Sequence, residues 1–294
     1  MKRKWQHDRG LEARMLFTMF LLVLVYLAFL AVLASQGAGM VTMLVFISAF
    51  MLLQYFFSDR LVLKSMGARI VSETEEPQLH QTVSRLCAMA DLPKPRIAVV
   101  NTPMPNAFAT GRSPNNSVVA VTTGIMRQLS AAELEAVLAH ELTHVKNRDV
   151  MVMTIASFLS TVAFFIVRYS FFFGGAGSSR GKGGVAAAFL VSVAVWIISS
   201  LLIRSLSRYR EFAADRGAAV ITGQPSNLAS ALMKISGVMP RIPKEDLRKA
   251  EGMNAFFIIP AVSGSSLMNL LSTHPPVEKR IAALERIGKE LGRS

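Results

Sequence analysis

The stretch His140-Glu141-Leu142-Thr143-His144 decides how this chain is interpreted, because it brings two of the five histidines within one helical turn of each other. Side chains at positions i and i+4 of a helix lie on one face, so both imidazoles can bind a single zinc ion. Glu141 follows the first histidine, where a carboxylate can accept a proton from an attacking water and pass it to a leaving amine. The pattern predicts the active-site helix of a metallohydrolase.

The residues around this stretch favour a helix. Ser130 and Glu133 have the spacing of a capping box, which starts a helix by pairing its first free N–H groups with side chains. A buried side of the helix is predicted from the periodic apolar residues Leu134, Val137, Leu138 and Leu142. The alternative is a helix that carries two histidines without a metal, and the cap and the buried side favour the zinc site.

The composition indicates that part of the chain lies in a membrane. The chain has 294 residues, and its 52% hydrophobic content and mean hydropathy of +0.41 exceed those of an ordinary soluble protein. Residues 15–58 carry no charged side chain and are interrupted by a turn at 36–39, which predicts a transmembrane hairpin. Apolar stretches at 150–167 and 183–203 flank the glycine-rich segment 174–184. Residues 150–203 are therefore expected to form a second transmembrane hairpin, and the alternative is that they lie partly within the protein or at the membrane surface.

Basic residues set the expected orientation, because short cytoplasmic flanks carry an excess of Lys and Arg. They cluster in residues 1–14 and directly after each hairpin, whereas the turn at 36–39 has none. A basic cytoplasmic segment 1–14 and a cytoplasmic domain built from 59–149 and 204–294, which holds the candidate metal site, are therefore predicted. The net charge of +13 suits an anionic lipid bilayer, and the chain contains no recognisable nucleic-acid-binding module, so no nucleic-acid partner is expected.

The only cysteine is Cys87, so the chain cannot form an intrachain disulfide, and this fits a reducing compartment. We expect Cys87 to be a core residue of a helix around residues 80–90. His7 and His80 lack companions suited to metal binding, and we expect them to be surface or packing residues.

A catalytic zinc usually has three protein ligands, so one ligand must come from outside the HELTH stretch. Glu211 is a candidate, because it emerges from the fourth apolar stretch with Asp215 one helical turn further on. Asp215 would then accept a hydrogen bond from the non-ligating nitrogen of a zinc histidine. Spacing alone favours equally a solvated amphipathic helix in which Arg208, Glu211 and Asp215 pair with one another.

Four ordered motifs carry a resemblance that covers nearly the whole chain. They are HELTHVKNRD at 140–149, REFAAD at 210–215, NAFATG at 106–111 and STHPP at 272–276. Together they resemble the HtpX group of membrane-bound zinc metalloproteases, which belongs with the eukaryotic CaaX prenyl proteases to one gluzincin-type family. The resemblance implies an α+β gluzincin-like fold, mainly α-helical, with transmembrane helices and a small sheet beside the HExxH helix.

The resemblance also implies roles for individual residues. His140, His144 and Glu211 would bind one Zn²⁺, Glu141 would be the general base, and Asp215 would support a ligand. His274 would help to stabilise the tetrahedral intermediate, and the alternative is a residue that only precedes a proline-led helix.

Further residues have expected positions near this site. The resemblance implies that an edge strand made of Asn106, Ala107, Phe108, Ala109 and Thr110 pairs with the substrate backbone. The alternative is a purely structural hairpin with residues 117–122. Asn147 lies on nearly the same helix face as His140 and is expected to shape the metal cleft. Asp149 is expected to cap the helix or form an ion pair, and Arg208 to steady Glu211 or anchor the chain at the membrane interface.

The predicted function is that of an integral-membrane zinc endopeptidase at the cytoplasmic face of the cell membrane. Its expected substrates are misfolded or damaged membrane proteins and unfolded polypeptides. The alternatives are processing of lipidated peptides and a non-catalytic zinc-binding scaffold. A transporter is disfavoured, because the apolar stretches contain almost no ionisable residue apart from Arg168.

Overall fold

The computed structural model describes residues 9–35, 45, 49, 52, 56, 59–173, 182–238 and 274–292. Its helices are α1 (Arg9–Ser35), α2 (Pro77–Ala90), α3 (Thr123–Gln128), α4 (Ala131–Lys146), α5 (Asp149–Phe173), α6 (Lys182–Thr222), α7 (Pro225–Val238) and α8 (Val277–Glu290). Its strands are β1 (Ala68–Ile70), β2 (Arg96–Val100), β3 (Ala107–Ser113) and β4 (Asn116–Thr122).

The strands form one four-stranded sheet in the order β1-β2-β4-β3. Strands β2 and β4 are parallel, whereas β1 pairs antiparallel with β2 and β3 pairs antiparallel with β4. The predicted hairpin is confirmed: β3 and β4 meet at a turn after Ser113. Gly111 in β3 has φ +128°, and a Cβ there would lie 2.2 Å from the carbonyl oxygen of Asn116, so only glycine fits this irregular pair. Strand β3 is left at the edge of the sheet.

Helix α4 carries the HELTH stretch through the centre of the main core. The predicted capping box is present: the Ser130 N–H donates to Glu133 Oε2 at 2.8 Å, and the Glu133 N–H donates to Ser130 Oγ at 3.4 Å. Val137, Leu138 and Leu142 are fully buried, as the periodicity predicted. The helix packs against α2, α6, α7 and the edge strand β3, so its position relative to the sheet is fixed on several sides.

Helix α6 is continuous over 41 residues and about 60 Å long, twice the thickness of a hydrocarbon core. Its first part packs with α1 and α5 in an apolar cluster that includes Phe29, Ala156 and Val195. Its last turns contribute Ala218 and Ile221 to the main core beside α4. Helix α6 therefore connects the apolar cluster of α1, α5 and α6 to the main core, which contains the HELTH stretch.

Two helices in the described part of the chain are long and apolar enough to cross a membrane, over Arg9–Ala31 and Phe189–Thr222. Large apolar side chains on α1, such as Leu16 and Phe17, are exposed, as expected of a surface that faces lipid. The first part of α5, Asp149–Phe158, is also apolar. Most of the predicted second span and most of the glycine-rich segment lie outside the described residues.

The expectation for Cys87 is confirmed. Cys87 lies in α2 and is buried in the main core, where burial raises the pKa of its thiol to about 11. His80, on the same helix, has its Nε2 atom 3.0 Å from the Val71 carbonyl oxygen and so has a packing role. His7 lies outside the described residues.

Candidate metal centre

Three side chains that were predicted to bind metal come together between α4 and α6. His140 Nε2 and His144 Nε2 are 3.1 Å apart. Glu211 Oε2 lies 3.6 Å from His140 Nε2, and Glu211 Oε1 lies 3.5 Å from His144 Nε2. Glu211 is separated from the histidines by more than sixty positions in the sequence, so the cluster depends on the packing of α6 against α4.

The donor set and its geometry fit zinc. Ligand atoms around a tetrahedral zinc with bonds of about 2.0–2.2 Å lie roughly 3.3–3.5 Å apart, which is close to the three separations observed. Both Nε2 atoms face the carboxylate, because the Nδ1 atoms are occupied by Asp215 for His140 and by Asp149 for His144. Two imidazoles and one carboxylate leave a fourth coordination position for a reacting group, as in catalytic zinc sites.

His140 is oriented by Asp215, which lies one turn after Glu211 on α6. Asp215 Oδ1 is 3.0 Å from His140 Nδ1, and both side chains are almost completely buried. Burial alone would lower the pKa of the His140 imidazole, but hydrogen bonds with Asp215 and Glu211 outweigh burial and raise the pKa to about 9. The carboxylate thus directs the Nε2 atom of the imidazole toward His144 and Glu211.

His144 is oriented by a different carboxylate, that of Asp149, the first residue of α5. Asp149 Oδ2 is 2.5 Å from His144 Nδ1, and Asp149 Oδ1 is 3.0 Å from Arg210 Nε. The ion pair predicted as one option for Asp149 is therefore present, and its partner is a residue of α6. The contact between Asp149 and His144 was not anticipated.

Arg280, on α8, is the cation that compensates the buried carboxylates. Its Nε and Nη2 atoms donate to the two oxygens of Asp215 at 2.9 and 2.6 Å, and Nη1 lies 3.1 Å from Glu211 Oε2. Only 1% of Arg280 is exposed. Burial alone would lower the pKa of Arg280, but the two carboxylates outweigh burial and raise it, so the guanidinium stays charged.

Glu141 lies beside this cluster and is 5% exposed. Burial raises the pKa of its carboxyl group, and the nearby imidazoles of His140 and His144 offset part of that rise. The Ala109 N–H of strand β3 donates a hydrogen bond to the Glu141 carboxylate. A carboxylate with a raised pKa is a suitable proton acceptor near neutral pH.

His274 lies next to the cluster, with its Nδ1 atom 3.3 Å from Glu211 Oε2 and only 6% of the residue exposed. It directly precedes Pro275 and Pro276, which lead into α8. The two expectations for His274 therefore coincide in one place: it precedes the proline-led helix and it also lies at the candidate site.

Two residues expected near the site have other contacts. Asn147 is the residue that ends α4, and its backbone N–H donates to the Thr143 carbonyl at 2.9 Å. Its side chain makes no hydrogen bond with any residue that the structure describes. Arg208 donates to Ser205 Oγ at 3.0 Å, and the guanidinium that contacts Glu211 is that of Arg280.

Sequence reasoning missed Asp149 as an orienting residue and missed Arg280 altogether. Asp149 lies beyond the end of α4, where helical periodicity no longer places side chains. Arg280 has no local motif. The sequence offers one signal for Arg280: if the carboxylates at 211 and 215 are both buried, a buried cation elsewhere in the chain must compensate their charge.

Comparison with known proteins places these residues in a family context. The model of peptidase family M48 matches residues 73–288, which include every residue of the candidate centre. The chain is 68% identical to Protease HtpX homolog 2 of Methanosarcina acetivorans over 293 residues, covering 99% of this chain and all of that protein. It is 59% identical to Protease HtpX homolog of Moorella thermoacetica, with 99% of each chain covered.

Among solved structures, the fold is similar to that of the crystal structure of S. mikatae Ste24p. The TM-score is 0.58 at 18% identity, covering 93% of this chain and 67% of that one. This similarity concerns the fold. The family model and the close relatives, taken together with the zinc-binding geometry, identify the chain as a member of peptidase family M48, a membrane-associated zinc metalloprotease.

Proposed function

We propose that this chain is a multi-pass endopeptidase of the cell membrane that hydrolyses misfolded or damaged membrane proteins at the cytoplasmic surface. One observation carries the proposal: α6 brings Glu211 to His140 and His144 on the same continuous helix whose first part is a candidate membrane span. The proteolytic site is thereby built into the membrane anchor.

His140, His144 and Glu211 would hold the zinc ion. When bound, zinc supplies a Lewis acid that polarises the scissile carbonyl and makes the attacking water more acidic. Asp215 and Asp149 keep the two imidazoles oriented, each through its Nδ1 atom. These contacts favour the tautomer in which Nε2 carries no proton and can bind the metal.

Glu141 would accept the proton of the attacking water and deliver it to the leaving amine. Its buried position supports this role, because a desolvated carboxylate binds a proton more readily than an exposed one. His274 would help to stabilise the negative charge that develops on the carbonyl oxygen of the substrate. Its placement beside Glu211 supports a position at the reacting centre.

Strand β3 would bind the substrate backbone. It lies at the edge of the sheet, and its Ala109 N–H reaches Glu141, so the strand passes directly beside the proposed base. An extended peptide that adds to this edge gains main-chain hydrogen bonds without a strong demand on its side chains. This mode of binding suits unfolded polypeptides of varied sequence.

The expected topology has four spans, with residues 1–14, 59–149 and 204–294 on the cytoplasmic side. Glu211 lies about 12 Å further along α6 than position 203, the end of the fourth apolar stretch. The site would therefore sit close to the lipid headgroups, within reach of segments that emerge from the bilayer. This proximity supports membrane proteins as substrates.

Processing of lipidated peptides is a second candidate function. It rests on the motifs that resemble the family to which the CaaX prenyl proteases also belong. A non-catalytic zinc-binding scaffold is disfavoured, because Glu141 is present and buried beside the candidate ligands.

The test compares zinc content and cleavage for the detergent-purified chain, Glu141→Gln and Glu135→Gln. Glu135 lies on the same helix but pairs with Arg85 at the surface, so its variant is the matched control. We expect equal zinc in all three proteins and a loss of roughly 100- to 10,000-fold in cleavage of an unfolded membrane protein for Glu141→Gln alone. Zinc binding without cleavage by the unmodified chain would favour the scaffold.

A further inference from the structure

An open cleft lies next to the candidate metal centre. Its walls are the second half of strand β3, the end of α4 and the start of α5. His144, Gly111 and Arg112 are among the residues that line it. Because the cleft lies between the edge strand and the end of the HELTH helix, a side chain of a peptide bound along that strand would reach it.

Two arginines line this cleft, Arg112 from β3 and Arg148 from the junction of α4 and α5. Neither forms an ion pair with a carboxylate in the part of the chain that the structure describes. Arg112 lies over the ring of Phe56, 5.2 Å from its centroid, an arrangement that leaves the charge uncompensated. Arg148 is exposed and has a left-handed backbone with φ +55°.

The one acidic residue of the cleft does not cancel this charge. Asp149 is 2% exposed and is already paired with Arg210 and His144. An acidic group that enters the cleft would therefore meet two cations and no available carboxylate among the lining residues. The cleft is electrostatically complementary to an anion.

Strand β3 leads a bound peptide into this cleft. Backbone groups of a strand alternate in direction, and the Ala109 N–H points away from β4 toward Glu141. Gly111 lies two residues after Ala109, so its backbone N–H and C=O groups also point toward the free edge of the sheet. The register of β3 with β4 shifts only after this residue, between Gly111 and Ser113. A peptide that pairs with Ala109 and continues past Gly111 would place a side chain between Arg112 and Arg148.

We propose that the cleft between Arg112 and Arg148 is a specificity subsite that binds an acidic side chain, Asp or Glu, at one fixed position near the scissile bond. The inference rests on the proposed peptidase function and adds a substrate preference to it. The two arginines select the substrate by charge, while β3 binds the backbone without regard to sequence.

The experiment measures cleavage of a peptide library, randomised at each position, by the zinc-loaded full chain in detergent, with cleavage sites identified by mass spectrometry. We expect Asp and Glu to be enriched at one position relative to the cleaved bond. Arg112→Gln and Arg148→Gln should each reduce the enrichment roughly threefold to fivefold, the range for a partly exposed ion pair. Arg148→Glu should shift the preference toward Lys and Arg.

Arg127→Glu is the matched control, because Arg127 is exposed on α3 and does not line the cleft. It changes the net charge by the same amount as Arg148→Glu and should leave the preference unchanged. Binding of the same peptides to the zinc-loaded Glu141→Gln chain, measured by fluorescence anisotropy, should show the same acidic preference without turnover.

Cleavage without acidic enrichment at any position would overturn the subsite and leave the peptidase function intact. Enrichment that survives both glutamine variants would also overturn it. If the variants instead weaken binding to vesicles of anionic phospholipid and leave peptide preference unchanged, the arginines bind lipid and the subsite is wrong. No cleavage of any peptide by the zinc-loaded chain would refute the peptidase function and the subsite together.

Discussion

Arg280 and Asp215 form a two-fold hydrogen-bonded ion pair in which 1% of the arginine and none of the aspartate is exposed. The pair joins α8 to α6 directly behind His140. Arg280 also contacts Glu211, so one guanidinium compensates the negative charge of both carboxylates that α6 contributes to the candidate centre. The last helix that the structure describes is thus required to keep charged groups buried near the metal.

Replacing Arg280 with methionine should destabilise the protein strongly. Removal of one partner from a buried ion pair leaves an uncompensated charge and costs about 3–5 kcal/mol. Zinc content should fall as well, because Glu211 and Asp215 would no longer be held in place. Thermal unfolding in detergent and metal analysis measure the two effects. Arg286→Ala, on the exposed side of the same helix, is the control and should change neither the stability nor the zinc content. A loss of stability below about 1 kcal/mol for Arg280→Met would contradict the role of Arg280 in compensating the buried carboxylates.

Replacing Asp149 with alanine should weaken zinc binding by roughly 10- to 100-fold, the usual effect of losing the partner of a metal-binding histidine. Asp149→Asn should lose less, because the amide oxygen can still accept a hydrogen bond from His144 Nδ1. Competition with a chromogenic chelator gives the zinc Kd. Asp91→Asn is the control, since Asp91 ends α2 in a left-handed conformation that asparagine also adopts. Equal affinity for all variants would show that Asp149 does not orient His144.

Zinc affinity should rise with pH. The metal-free His140 imidazole has a pKa of about 9 and is protonated below that pH, and zinc must displace this proton. We therefore expect the affinity to increase about tenfold per pH unit up to pH 9 and to level off above it. Calorimetry in buffers of different ionisation enthalpy should detect proton release. Asp215→Asn removes the larger of the hydrogen bonds that raise this pKa, so the break in the pH profile should move to lower pH.

Glu133 should make stability depend on pH in the acidic range. Burial would raise the pKa of its carboxyl group, but hydrogen bonds from Lys234, Ser230 and Ser130 outweigh burial and hold the pKa at about 2. Because this pKa is lower in the folded than in the unfolded chain, the ionised carboxylate stabilises the fold at pH values above about 4.5. The stabilisation is lost as the pH falls from 4.5 toward 2. Glu133→Gln should flatten the unfolding profile over that window relative to Glu135→Gln. Identical profiles would exclude a role for this contact between α4 and α7.

Local features of the fold could be predicted from the sequence because their determinants are neighbours in the chain. The capping box at Ser130, the buried side of α4 and the β3–β4 hairpin each depend on spacings of a few residues. Glu211 was left undecided by spacing alone, because whether a carboxylate binds metal or faces solvent depends on what packs against its helix. The family resemblance supplied that information.

Other features depend on tertiary packing that no local pattern encodes. Arg148, which follows the capping residue of α4, has a left-handed conformation, and this break turns Asp149 back toward His144. Arg280 reaches Asp215 across 65 positions. The cationic cleft likewise requires β3 and the α4–α5 junction to face each other, which the sequence does not reveal.

The continuity of α6 has a consequence for biosynthesis. The two histidines are synthesised well before Glu211, and the apolar first part of α6 comes between them. A nascent chain therefore cannot complete the metal centre until the apolar first part of α6 has been synthesised. Newly made protein would acquire the ability to cut peptides only after its whole candidate membrane span is available, so shorter nascent chains carry an incomplete centre.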